Sequence, residues 1–97
     1  MGQIDIVIIE REGKRATKFC VYELAEDDIV EWRTRVGIRR GRVIEIRERT
    51  ADGAIRNRPI RIRVINKENE PDGNEFTLGR YAFATVYDSR GTRKQPK

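Results

Sequence analysis

Short apolar runs with a period of two residues constrain this chain more than any other feature of its sequence. In QIDIVIIE, Ile4, Ile6 and Ile8 stand at every second position and would share one face of an extended strand. Similar runs recur along the chain and are separated by turn-forming glycine, asparagine and aspartate. Although 38% of the residues are charged and only 37% are hydrophobic, this order predicts a folded domain and not a disordered chain.

Most of these runs predict strands, at residues 4–10, 16–24, 42–49, 55–65 and 76–88. The segment AEDDIVEWRTRVG differs, because apolar residues recur at spacings of four, three and four. The residues with this spacing are Ala25, Ile29, Trp32 and Val36. They predict one short helix, with acidic residues first, arginines last and Gly37 after its end. The period-two series Val30, Trp32, Thr34 and Val36 leaves a strand open as the alternative.

The predicted order of elements is ββαβββ, which indicates an α+β fold. We expect a small antiparallel curved sheet or partly open barrel of about five strands with one short helix. An all-β six-stranded barrel is the alternative. Because 97 residues suffice for one core but not two, we expect a single domain over residues 1–88 and a flexible basic tail over residues 89–97.

The residue types that the chain lacks exclude most catalytic chemistry. There is no histidine, which removes imidazole-based nucleophile systems and nearly all zinc sites. We therefore expect no enzyme, no metal site and no cofactor. The single cysteine, Cys20, has the pattern of a small packed side chain, which fits a reducing cytoplasm. The N-terminal stretch has no basic start and only a short apolar run, so we expect neither a signal peptide nor a membrane span.

Charge is distributed unevenly along the chain. Residues 1–32, 33–63 and 64–97 carry net charges of −4, +8 and +1, which together give the net charge of +5. All eleven basic residues of the middle segment are arginine. Arginine binds phosphate or carboxylate through two parallel N–H groups and stays charged when partly desolvated. This segment therefore predicts a recognition surface, with intramolecular pairing to glutamate as the structural alternative.

The turn at TADGA predicts a hairpin whose register decides where the arginines lie. A two-residue loop would place Arg49 opposite Arg56, an unfavourable pairing of like charges. A three-residue loop at residues 52–54 is better matched. Its cross-strand neighbours are Ile46 with Ile60, Ile44 with Ile62, Glu45 with Arg61, and Glu48 with Arg58.

The four isoleucines of this register would be buried, and the opposite face would carry more arginine than glutamate. Its charged residues are Glu45, Arg47, Arg49, Arg61 and Arg63. Pro59 lacks an N–H donor, so its strand should have one unpaired edge or a local bulge. Upstream, RVGIRRGRV predicts a basic connection with two glycines, for which a plain turn is the preferred interpretation. The alternative is a site in which backbone N–H groups and three arginines converge on a phosphate. Those arginines are Arg39, Arg40 and Arg42.

The last apolar run, GRYAFATVY, places Tyr81, Phe83 and Tyr87 on one face. It partly resembles the aromatic strand of RNA-recognition motifs, where such rings stack on bases. The glycine and the basic residue are transposed relative to that motif, and the strand comes last in the chain. A stripe of aromatic residues facing the core is therefore the preferred interpretation.

These patterns predict a non-catalytic domain that binds nucleic acid, DNA or RNA, through phosphate contacts of an arginine-rich hairpin surface. The residues expected to make these contacts are Arg39, Arg40, Arg42, Arg47, Arg49, Arg61 and Arg63. The alternative is a protein-interaction or assembly module, in which the arginines meet an acidic protein surface or the strand edge around Pro59 pairs with another chain.

Overall fold

The chain forms eight β-strands in a computed structural model that describes residues 2–12, 16–82 and 84–97. They are β1 (Gln3–Glu12), β2 (Ala16–Ala25), β3 (Ile29–Thr34), β4 (Gly37–Ile46), β5 (Ile60–Ile65), β6 (Pro71–Leu78), β7 (Tyr81–Ala82) and β8 (Ala84–Tyr87). No helix occurs in these ranges. The fold is therefore all-β, and the prediction of an α+β fold is wrong.

Two sheets build the domain. A three-stranded sheet has the order β2-β1-β7, and a five-stranded sheet has the order β6-β5-β4-β3-β8. All neighbouring strands are antiparallel except β1 and β7, which are parallel. The two sheets do not close into a barrel. The alternative prediction of a six-stranded barrel is therefore right in its all-β character and wrong in its closure.

The core lies between the two sheets. The three-stranded sheet supplies Ile4, Ile6, Ile8, Cys20, Tyr22, Leu24 and Ala82, and the five-stranded sheet supplies Val30, Val43, Ile60, Ile62 and Val86. In β1 the inward residues occupy every second position, as the period of two predicts. The shared face of Ile4, Ile6 and Ile8 and the packed position of Cys20 are both confirmed.

The segment predicted as a helix forms a turn and then the interior strand β3. The turn contains Asp27 with a φ of 74°, and β3 pairs with β4 on one side and with β8 on the other. The expected helical stripe does not exist, since Val36 is 82% exposed in the turn that follows β3. The spacing of four, three and four was coincidental, and pairing with the adjacent β4 and the distant β8 outweighs a weak local helix preference.

The β4–β5 hairpin confirms part of the predicted register. Ile46 lies opposite Ile60, and Glu45 lies opposite Arg61. Between Val43 and Glu45 the register shifts at a β-bulge, so that Val43, and not Ile44, lies opposite Ile62 and is fully buried. A bulge changes which side chains face inward, because two residues then oppose one.

The loop of this hairpin is also one residue earlier than predicted. The backbone N–H of Thr50 donates to the carbonyl of Ala54, and that of Arg56 donates to the carbonyl of Glu48. Glu48 therefore does not meet Arg58 in the ladder. Pro59 is buried and directly precedes β5, a strand that is paired on both sides. The open edge expected for this strand is wrong, and the bulge of this hairpin lies between Val43 and Glu45 and not at Pro59.

Two connections join the sheets at their margins. The segment 81–87 pairs with β1 at its beginning and with β3 at its end, so it passes from one sheet to the other. Residues 93–97 form the second connection. The Lys94 N–H donates to the carbonyl of Val86 in β8, and the Lys97 N–H donates to the carbonyl of Val21 in β2. The flexibility expected for residues 89–97 stays a prediction. Motion of this segment away from the sheets would break the two backbone hydrogen bonds of Lys94 and Lys97.

Candidate nucleic-acid interface

The outward face of the five-stranded sheet gathers six arginines, which we call the arginine face. It consists of Arg33 on β3, Arg40 and Arg42 on β4, Arg47 just after β4, and Arg61 and Arg63 on β5. These residues share a face because directly opposed residues of antiparallel strands point to the same side and side chains alternate along each strand. Three glutamates lie among them, namely Glu31, Glu45 and Glu75.

The centre of the arginine face is a pair of like charges. Arg42 and Arg63 are direct cross-strand neighbours on two interior strands of the sheet. Such a pairing is unfavourable unless each cation has its own partner or an anion bridges the two. The guanidiniums turn in opposite directions, since Arg42 Nη1 donates to the backbone carbonyl of Asp27 at 2.9 Å and Arg63 Nη2 bonds Glu75 at 2.6 Å.

Glu75 on β6 serves two arginines at once. Its Oε1 lies 3.0 Å from Arg61 Nε, and its Oε2 lies 2.6 Å from Arg63 Nη2. One carboxylate therefore neutralises one of two positive charges. Arg47 pairs with Glu45, which lies on the same face directly opposite Arg61. All of these side chains are partly exposed, so the pairs contribute little to stability and leave part of each arginine side chain exposed.

Arg40 is the most firmly held member of the arginine face. Its Nη1 donates to Asn69 Oδ1 at 2.6 Å, its Nε lies 3.4 Å from Glu31 Oε2, and its guanidinium lies 5.7 Å from the centre of the Tyr87 ring. The Tyr87 hydroxyl donates to the other oxygen of Glu31 at 3.1 Å. Burial, followed by the contact with Glu31, raises the pKa of Tyr87 above its ordinary value of 10.0. This cluster fixes one margin of the face.

Two of the seven predicted contact residues lie elsewhere. Arg39 is on the opposite side of β4 from Arg40, where its guanidinium lies 5.6 Å from the centre of the Phe76 ring. Phe76 in turn makes an edge-to-face contact with Trp32, with ring centres 6.4 Å apart. Residues 37–46 form strand β4 and not the plain turn that was preferred for this stretch. The alternative, convergence of Arg39, Arg40 and Arg42 on one phosphate, is wrong as well, because consecutive residues of a strand point to opposite faces.

Arg49 is the second residue outside the arginine face. Its Nη1 donates to the carbonyl of Gly53 at 2.9 Å, and its own carbonyl accepts a bond from Arg56 Nε at 3.3 Å. Arg49 therefore holds the loop of the β4–β5 hairpin together. The structure adds Arg33, which the sequence analysis did not include because its segment was interpreted as a helix. No ion pair of Arg33 or Arg42 is found within the described residues.

The aromatic run GRYAFATVY does not form a core-facing stripe. Tyr81 is 69% exposed on the outer side of the three-stranded sheet, and Tyr87 lies on the arginine face. The inward residues of this run are Ala82 and Val86. Phe83 lies outside the described residues. Because the segment passes from one sheet to the other, its two tyrosines belong to different surfaces and cannot form one stacking platform.

Comparisons of the chain with known protein families, with curated proteins and with solved structures gave no match. Among the described residues, no group of three or more carboxylate and thiol side chains is placed to hold a metal ion. No helix in the same part of the chain is long and apolar enough to cross a membrane. The arginine face is thus the strongest candidate for function, on its own geometry.

Proposed function

We propose that the arginine face binds nucleic acid without catalysis, chiefly through its phosphates. The observation that carries this proposal is the excess of six arginines over three glutamates on one face, with Arg42 and Arg63 directly opposed at its centre. Phosphate oxygens bound at this centre would supply negative charge to both arginines and accept paired N–H bonds. The absence of histidine from the sequence favours binding over catalysis.

A polyanion fits this face better than an acidic protein does. Protein interfaces have an apolar centre with aromatic anchors and a polar rim. On the described arginine face, the exposed apolar side chain is Ile38 near the β3–β4 turn, while the centre is charged. Backbone contacts of this kind carry no sequence information, so the proposal covers both DNA and RNA. Cys20, buried and unpaired, is compatible with the cytoplasm that we propose as the location.

The expected salt dependence follows from the charge balance. Six arginines and three glutamates leave about three uncompensated positive charges on the arginine face. Each phosphate contact contributes about −0.9 to the slope of log K against log salt for duplex DNA. About three contacts would therefore weaken binding roughly 40-fold between about 50 mM and about 200 mM salt.

The test is fluorescence anisotropy with labelled duplex and single-stranded oligonucleotides of mixed sequence at these two salt concentrations. The variant Arg33→Gln/Arg42→Gln removes two charges from the face and should lower the slope by about two. The matched control Lys18→Gln/Lys97→Gln removes the same charge from the other sheet and should leave the slope near that of the unmodified protein. No binding at low salt, or an equal loss in the control, would refute the proposal.

A further inference from the structure

The outward face of the three-stranded sheet is apolar, and we call it the apolar face. It is formed by Val7 and Ile9 on β1, Phe19 and Val21 on β2, and Tyr81 on β7. These residues are contiguous, since Ile9 lies opposite Phe19 and Val7 lies between Val21 and Tyr81. Phe19 is 64% exposed, Tyr81 69% and Val21 39%. The largest contiguous apolar patch on the surface of a soluble protein is often an interaction site.

The sequence of β1 and β2 has the pattern of strands that are covered on both sides. The run Ile6-Val7-Ile8-Ile9 is continuously apolar, although only Ile6 and Ile8 face the core between the sheets. In the same way β2 carries Phe19 and Val21 on the side opposite Cys20 and Tyr22. Continuous apolar runs are typical of strands buried on both faces, whereas a solvated outer face gives apolar and polar residues in alternation.

We propose that the apolar face packs against the same face of a second copy of this chain. Two flat sheet faces with side chains at alternate positions pack on one another at a spacing of about 10 Å. A twofold arrangement brings the same surface of both copies together, so one apolar patch serves as both halves of the interface. In the resulting dimer each three-stranded sheet would become an inner layer.

The charges around the apolar face favour a second copy over a charged partner. Lys97 Nζ lies 2.9 Å from Asp5 and 3.9 Å from Glu23, so one cation lies between two carboxylates and this margin keeps only one net negative charge. The positive charge of the chain is concentrated on the arginine face, on the far side of the core. Two copies would therefore approach without strong repulsion, and an acidic protein or an anionic lipid surface would gain little here.

The area of the apolar face indicates a weak dimer. Phe19 and Tyr81 are each about two-thirds exposed, and an aromatic side chain can bury about 150–250 Å². Together with the three aliphatic residues, the face would bury roughly 400 Å² per copy and roughly 800 Å² in total. Stable specific interfaces bury about 1,200–2,000 Å², so association should be reversible and should require high protein concentration.

Sedimentation equilibrium at protein concentrations between about 1 µM and about 1 mM tests this assignment, without nucleic acid and at high salt. The average mass should rise from the 11.3 kDa of one chain towards twice that value. The variant Phe19→Ser/Tyr81→Ser should stay at the mass of one chain. Both residues are exposed, so circular dichroism and a melting curve should match those of the unmodified protein.

The matched control is Val36→Ser/Ile38→Ser, which removes two exposed apolar side chains at the β3–β4 turn, 82% and 67% exposed, and should dimerise normally. A constant mass of one chain for the unmodified protein would overturn the proposal, and so would an equal loss of association in the control. One consequence of the dimer rests on the proposed function. The dimer would present two arginine faces to nucleic acid, on opposite sides. Because the measurement contains no nucleic acid, it fails or succeeds independently of that function.

Discussion

Gly41 shows how a single residue makes room for the packing of the five-stranded sheet. It lies in β4 between Val30 and Val64, on the side of the sheet that faces the core. A β-carbon at this position would lie 2.1 Å from Ile62 Cγ2, 3.1 Å from the carbonyl oxygen of Arg63 and 3.2 Å from Trp32 Cη2. Ile62 is only 1% exposed and has little space into which it could move. Gly41 is therefore required for close packing and not for an unusual turn.

The variant Gly41→Ala should reduce the free energy of unfolding by about 1–3 kcal/mol, because the added methyl group overpacks the core. Urea denaturation followed by circular dichroism measures this change. Gly79→Ala is the control, since its β-carbon would meet only the carbonyl oxygen of Asn57 at an ordinary 3.5 Å. We expect it to change stability by less than about 0.5 kcal/mol. Equal stability of the two variants would contradict the packing role of Gly41.

Tyr87 gives the fold a specific dependence on alkaline pH. Burial and the hydrogen bond to Glu31 raise its pKa above the ordinary 10.0, so the folded state holds the phenol proton more tightly than the unfolded state does. This contribution is complete below pH 10.0 and is lost as the pH rises through the pKa of the folded state. The variant Tyr87→Phe should therefore lose less stability above pH 10.0 than the unmodified protein. Melting curves across this range check it, and identical slopes would count against the assignment.

At the scale of elements, the sequence predicts some strands well and misplaces others for identifiable reasons. The hairpin of β1 and β2 follows from Ile4, Ile6 and Ile8, because a period of two admits no helical interpretation. For β3, Trp32 fits both a period of two and a spacing of three or four, so the local pattern is ambiguous. The strand is decided by its pairing with β4 in a hairpin and with β8, which lies far away in the sequence and leaves no local signal.

The candidate site was predictable in composition but not in arrangement. The concentration of arginine over residues 33–63 indicates the segment that supplies the arginine face. The separation of Arg39 from Arg40 depends on whether this segment is a strand. Arg61 and Arg63 both pair with Glu75 on β6, which begins in the stretch between the predicted strands at residues 55–65 and 76–88. The bulge near Val43 likewise depends on how two strands pair, and no residue type at that position indicates it.

The segment after β8 makes one contact that should matter to stability. Lys94 Nζ lies 2.6 Å from Asp28 Oδ2 and donates to the carbonyl of Glu23 at 2.8 Å. Asp28 is only 5% exposed and also accepts a bond from the backbone N–H of Ala25. It closes the turn between β2 and β3, so Lys94 neutralises a buried carboxylate at the junction of the two sheets. Removal of one partner from such a pair leaves an uncompensated charge.

Lys94→Met should therefore lower the free energy of unfolding by about 1–3 kcal/mol, less than a fully buried pair would because the lysine is partly exposed. Lys97→Met is the matched control. It removes an exposed ion pair with Asp5, which is worth at most about 1 kcal/mol. Urea denaturation of the two variants at neutral pH gives the comparison. If Lys94→Met were as stable as Lys97→Met, the contact with Asp28 would have no structural role.

At the scale of the whole molecule, the two outward faces of the sandwich have opposite character. The five-stranded sheet presents six arginines, and the three-stranded sheet presents a contiguous apolar surface. The core between them separates the two, so either surface can be altered without disturbing the other. The shape of the side chains on the arginine face can be changed while the net charge of +5 is kept. Experiments can therefore distinguish the effect of charge on binding from the effect of side-chain geometry.

The variant Arg42→Lys/Arg61→Lys/Arg63→Lys keeps every charge of the arginine face but removes the planar fork of N–H groups. If the arginines only solvate the sheet, nucleic-acid binding should not change. If they bind phosphate through paired N–H groups, affinity should fall by on the order of 1 kcal/mol or more while the salt slope stays the same, since the number of charges is unchanged. We expect the second outcome. Stability should change little, because the pairs of Arg61 and Arg63 with Glu75 are exposed.

The matched control Arg35→Lys/Arg58→Lys/Arg90→Lys makes the same chemical change at three exposed positions outside the strands. Its affinity should equal that of the unmodified protein at both salt concentrations. Anisotropy titrations give affinity and slope together, and melting curves exclude unfolding as the cause of any loss. An equal loss in both variants would mean that arginine acts wherever it lies on the surface, and the opposed pair of Arg42 and Arg63 would then have no special part in binding. A loss confined to the arginine face, at constant slope, can arise only from the geometry of that face.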